Sequence, residues 1–139
     1  MPDKSSVKSK RLTRRDQREL DVRISFLEGL VRRDAGYIEA LQILGDSYTQ
    51  RGRFEQSLQV DQQLSRLEPT NPMVFYNLAC SYSLNGEFDS AAAALEKALS
   101  LGYSDFKWLA RDPDLRRLRQ HPLYRGIQDK IRKMKIRIA

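Results

Sequence analysis

The chain has 139 residues, 40% hydrophobic and 31% charged, with a net charge of +7, which is one domain's length and an ordinary globular composition. No apolar run approaches the ~18 residues needed to cross a bilayer, and Met1-Pro2-Asp3-Lys4-Ser5-Ser6 carries no apolar core of a secretory signal. Cys80 is the only cysteine and His121 the only histidine, so an internal disulfide is excluded, no metal or cofactor site is expected, and a reducing compartment, the cytoplasm, is the expected location.

Residues 1–15 hold six Lys/Arg and one acid, lack apolar periodicity and read as a disordered basic arm. From Asp16 the pattern turns helical: Leu20, Ile24, Leu27, Leu30 and Val31 form one stripe, and Asp34-Ala35-Gly36 ends it, bounding a segment over 16–36. Further helices are predicted over 37–51, 54–67, 71–85 and 88–101. Gly52 and Gly86 fit the left-handed position after a helix, where a Cβ costs energy. Asn71-Pro72 reads as an N-cap followed by proline at the first helical position, and Gly102 is a stop. Beyond it, Trp108 and Leu109 form a short apolar patch, and Asp112-Pro113 and His121-Pro122 each start a turn or brief helix. Leu123, Ile127, Ile131, Met134 and Ile138 then share a stripe, with Arg125, Lys130, Arg132, Lys133 and Arg137 on the other faces.

Two of these stretches repeat each other at a spacing of 34 residues. Leu41-x-x-Leu44-Gly45-x-x-Tyr48 returns as Phe75-x-x-Leu78-Ala79-x-x-Tyr82, Gly52-Arg53-Phe54 as Gly86-Glu87-Phe88, and Ser57 as Ala91. This pattern resembles the tetratricopeptide repeat. The resemblance implies an all-α fold, a short right-handed solenoid of helical hairpins, with small residues (Gly45 with Ser57; Ala79 with Ala91 and Ala98) where paired helices cross. It assigns repeats to 37–70 and 71–103, with 16–36 as an N-terminal half repeat and 104–139 as a closing segment over the second repeat's apolar edge. The sequence departs from the family pattern at Asp61, where a large apolar residue is expected, and at Tyr103, where proline is usual. Asp61 is expected to weaken its helix.

Charge is unevenly spread: +5 over residues 1–15, −5 over 16–104 and +7 over 105–139. Catalysis is not expected. His121 beside Pro122 suits a helix end, the glycines are helix stops rather than a phosphate loop, and nothing supplies a second base for a nucleophile. The family resemblance implies a concave groove lined by first helices, which holds a peptide or helix of another protein. Residues on that side are Glu39, Gln42, Ile43, Asp46 and Gln50, then Met73, Tyr76, Asn77, Cys80 and Leu84. Relatives that grip a C-terminal carboxylate use Lys, Arg and Asn there; only Asn77 matches, and the acidic Asp46 argues against a chaperone-tail receptor. The acidic end suits a ligand with Lys or Arg. Tyr76 is expected to be the aromatic anchor of this groove.

The sequence therefore predicts a non-catalytic adaptor, assembly factor or co-chaperone that binds another protein, with a small secretion-type chaperone as a variant and self-association as a further contact. The alternative is a nucleic-acid- or anionic-surface-associated protein using its basic ends, with Lys8, Lys10, Arg11, Arg14 and Arg15 as the contacts.

Overall fold

A computed structural model describes residues 11–138, with side chains to Ile136. Among the described residues there are eight α-helices, one 3-10 turn and no strand, so the chain is all-α, built of helical hairpins. No described helix is long and apolar enough to cross a membrane. The chain divides between Leu67 and Glu68 into two compact units.

The first unit holds α1 (Arg14–Arg33), α2 (Ile38–Arg51) and α3 (Phe54–Leu67). The α1 helix starts two residues before the expected Asp16. Its cause is a capping box: Asp16 N–H donates to Thr13 Oγ1 and Thr13 N–H to Asp16 Oδ2, each at 3.1 Å. The Thr13 backbone N–H, then its hydroxyl, hold the Asp16 carboxyl below the usual range. The basic arm is therefore helical from Arg14 onward, while the expectation for residues 1–10 lies outside the described residues. On its inner side α1 buries Leu20, Ile24 and Leu27 and packs on α2. Tyr48 donates to Glu28, and Arg51 Nε donates to Asp21 Oδ1 at 2.9 Å.

Between α2 and α3 the backbones approach closely because Gly45 has no Cβ. One placed there would lie 3.3 Å from Val60 Cγ1 and 3.3 Å from Asp61 Oδ1. Ser57 Oγ and Thr49 Oγ1 both donate to the Gly45 carbonyl at 3.1 Å, so the buried hydroxyls of the crossing are satisfied. Gly52 (φ 84°) and Gly86 (φ 76°) take the left-handed conformation after α2 and after the first helix of the second unit. Asp61 is buried, yet α3 runs unbroken to Leu67; the expected weakening is not seen as a break in the helix.

The second unit holds α4 (Pro72–Leu84) and α5 (Phe88–Ser100), followed by α6 (Phe106–Leu109), a 3-10 turn (Pro113–Leu115), α7 (Arg116–Arg119) and α8 (Tyr124–Ile138). Asn71 Oδ1 accepts from Met73 N–H at 3.0 Å, and Pro72 follows it as the first helical residue. The crossing of α4 with α5 is lined by Ala79, Ala91 and Ala98, all fully buried. The turn and α7 lie against α4, and α7 and α8 against α5. Leu109, Leu115, Leu118 and Ile127 are fully buried, Ile131 is half-buried, and Leu123 is exposed. Residues after Gly102 thus close over both helices of the second hairpin, although Leu123 does not share in that burial.

Candidate binding surface

The five expected residues of each first helix occupy the same stripe, offset by the repeat length of 34: Glu39 matches Met73, Gln42 matches Tyr76, Ile43 matches Asn77, Asp46 matches Cys80 and Gln50 matches Leu84. The two stripes have opposite fates. On α2, Glu39, Gln42 and Ile43 are exposed, and Asp46 and Gln50 are half-buried. Ile43, at 49% exposure, is an apolar side chain set among acids and amides.

On α4 the stripe is largely covered by the chain itself. Tyr76 has no exposed surface and Cys80 is buried, which corrects the expectation that both line an open groove. The physical reason is a polar lock between α4 and the segment after Gly102. Tyr76 OH donates to Asp112 Oδ2 at 2.6 Å, and the Cys80 thiol lies 3.7 Å from the same oxygen. Asp112 Oδ1 accepts from Asp114 N–H at 3.0 Å and so caps the 3-10 turn. The Tyr103 ring stacks on Tyr76 with centroids 4.2 Å apart and planes 8° from parallel, which accounts for an aromatic where the repeat pattern has proline. Burial above all pushes the hydroxyls of Tyr76 and Tyr103 well above the ordinary tyrosine range.

Met73, Asn77 and Leu84 remain half-buried on the same helix. The Asn77 amide oxygen is enclosed without a hydrogen-bond partner among the described residues.

The lock is also where three possible ligand atoms meet: one each from Cys80, Asp112 and Asp114 lie within 4.8 Å of one another, all from buried residues. Asp112 already spends one oxygen on Tyr76 and Cys80 and the other on the turn, so the arrangement reads as a hydrogen-bonded clamp. Sequence reasoning placed Asp112-Pro113 at a turn but missed its pairing with Tyr76. One signal was available: 72–84 is apolar nearly all round, and such a helix is buried on every side. Reasoning from first helices also passed over a cavity of about 360 Å³ in the first unit, whose polar walls are Glu28 and Arg32 of α1 and Gln56, Gln59 and Gln63 of α3.

The described basic candidates are solvent-facing. Arg11, Arg14 and Arg15 are exposed, with Arg15 paired to Glu19, while Lys8 and Lys10 lie outside the described residues. On α8, Arg125, Arg132, Lys133 and Lys135 are exposed; Arg132 pairs with Asp129, and Lys135 sits over the Phe106 ring. His121 Nδ1 accepts from Leu123 N–H at 3.2 Å just before α8, which is a helix-end role.

Tandem helical hairpins at a fixed 34-residue offset, with small residues at the crossings, define a helical-repeat protein. Residues 40–73 and 74–101 each match the family model described as tetratricopeptide repeat. Residues 40–101 are thus similar to two tetratricopeptide repeats, modules that generally mediate protein–protein interaction and are typically non-catalytic. Among the chain's relatives is a chloroplastic protein of Arabidopsis thaliana, 35% identical over 79 residues, covering 55% of this chain and 24% of that protein. The chain thus spans about a quarter of that relative's length.

Proposed function

We propose that this chain is an adaptor or assembly factor that docks a peptide or helix of a partner protein along the open stripe of α2. The observation that carries this is the contrast between equivalent stripes: on α4 the chain's own closing segment lies over Tyr76 and Cys80, whereas Glu39, Gln42 and Ile43 of α2 stand exposed. An apolar side chain flanked by Glu39 and Asp46 suits a partner segment with an aliphatic residue beside Lys or Arg. The reading is non-catalytic because the buried polar groups nearest to chemistry, Tyr76, Cys80 and Asp112, are engaged with one another. Cys80 is buried and forms no disulfide among the described residues, which suits a reducing compartment.

The test is capture of partners by the intact chain in low and high salt, repeated with Ile43→Asp and Asp46→Arg. Losing an interface anchor commonly costs about 2 kcal/mol or more, so a salt-resistant protein partner should fall away from Ile43→Asp while that variant melts like the parent. Unchanged capture by both variants overturns the α2 assignment. A second reading rests on the exposed cations of α8: an anionic surface or nucleic acid held through phosphates. Salt-labile nucleic acid recovered by the parent, and lost when Arg125 and Lys133 become Glu, would put that reading first.

A further inference from the structure

The half repeat at the front of the first unit carries a vacancy that the repeat register identifies. Shifted by 34 residues, Arg23, Phe26 and Leu30 of α1 correspond to Ser57, Val60 and Leu64 of α3, and to Ala91, Ala94 and Ala98 of α5. In both complete hairpins these positions are buried against the hairpin's own first helix. Val60, 8% exposed, is the residue whose Cγ1 would touch a Cβ at Gly45 of α2, and Ala94 is 7% exposed. On α1 the equivalent Arg23 and Phe26 are exposed, and Leu30 is half-buried. Phe26 is 67% exposed and Val22, one turn earlier, 71%. Gly29, one turn beyond Phe26, leaves that face low: a Cβ there would meet only the end of the Arg32 side chain, at 3.9 Å.

We infer that the outer face of α1 docks an acidic amphipathic helix of a partner protein, which takes the place that the first helix holds in each complete hairpin. The apolar stripe Val22–Phe26 supplies the buried centre. Its rim is mostly cationic: Arg15, Arg18, Arg23 and Arg33 are exposed there, against Glu19, paired with Arg15, and Asp16, engaged in the Thr13 cap. Arg23 stands where Ser57 and Ala91 let backbones cross closely, so the occupant meets a guanidinium at the crossing and needs a carboxylate opposite it. The same charges disfavour a second copy, since α1 against α1 would bring arginines together. Residues 1–10 are unsuited too: their composition sets Lys4, Lys8 and Lys10 against the single acid Asp3, and Met1 and Val7 are their only large apolar residues.

The probe is a synthetic helical peptide with the apolar spacing of residues 41–48 and glutamates at its outer positions, titrated against the intact chain by fluorescence anisotropy. A lysine version of the peptide is the control. The glutamate peptide should bind at least about tenfold tighter than the lysine one, and Phe26→Ser should weaken it at least about tenfold, the loss of one interface anchor. Phe26→Leu should keep most of the affinity, Arg23→Glu should reverse the preference between the peptides, and all three variants should melt like the parent because these side chains are exposed. Ile43→Asp should leave this binding unchanged, which separates it from the α2 surface. Absence of binding, or binding indifferent to Phe26→Ser, overturns the inference. So does a dimer of the parent in sedimentation that Phe26→Ser turns into a monomer, for that result assigns the face to a second copy.

Discussion

Burying a phenol is inexpensive only while it stays neutral and hydrogen-bonded. Tyr76 satisfies both conditions, with no exposed surface and its proton directed at Asp112. Tyr76→Phe leaves Asp112 Oδ2 with the Cys80 thiol as its remaining side-chain partner here and should cost about 1–3 kcal/mol. The sign of the pH dependence follows from the shift. The folded-state value of Tyr76 lies above the ordinary 10.0, so its contribution is complete below that pH and is lost as pH rises past it, because only the unfolded chain ionises. Each such tyrosine should remove roughly 1.4 kcal/mol per pH unit above its ordinary value. Denaturant titrations at about pH 8 and about pH 11 check both points: the Phe variant should start lower and decline less steeply. Equal alkaline slopes would show that Tyr76 ionises in the folded protein.

At the scale of the helices, paired elements are held at short distance by what they lack. Gly45 has no side chain to keep Val60 away, and Ala79, Ala91 and Ala98 put nothing larger than a methyl into the second crossing. Ala91→Leu should overpack that crossing and cost about 1–3 kcal/mol; a melting temperature equal to the parent's would speak against the hairpin register. These positions were legible because a helix period and a 34-residue offset both fix where small residues fall. The covering of Tyr76 was not legible, because Gly102 ends the periodicity and no spacing says which face of α4 the following segment crosses. The start of α1 was misjudged for a local reason: the Thr13–Asp16 capping box outweighs the arginines that made residues 14 and 15 look like part of an arm.

At the scale of the whole chain, two repeats are fewer than the three or so that usually stabilise such arrays, and the segments outside the repeats are expected to make up the difference. Deleting residues 121–139 removes the burial of Ile127, fully enclosed, and of Ile131, half-enclosed. Burying a side chain of that size fully is worth roughly 1.5–3 kcal/mol, against a total stability of about 5–15 kcal/mol. The truncated chain should aggregate or lose its cooperative melt; a monomer with the parent's melting temperature would show α8 to be dispensable. Lysines and arginines on the outside of α8 are compatible with that duty, since Tyr124, Ile127 and, in part, Ile131 are the residues that face inward.

On the proposed reading of α2 as the docking stripe, the lock at Asp112 also sets valence. A chain with two equivalent first-helix stripes would ordinarily offer a repetitive ligand two seats and the gain in avidity that linked seats bring. Here one seat is filled from within by a segment tethered through Gly102, which competes at an effective concentration that no dilute partner matches. Docking along the first helices should therefore be single-occupancy, and a tandem ligand should gain nothing there from its second copy.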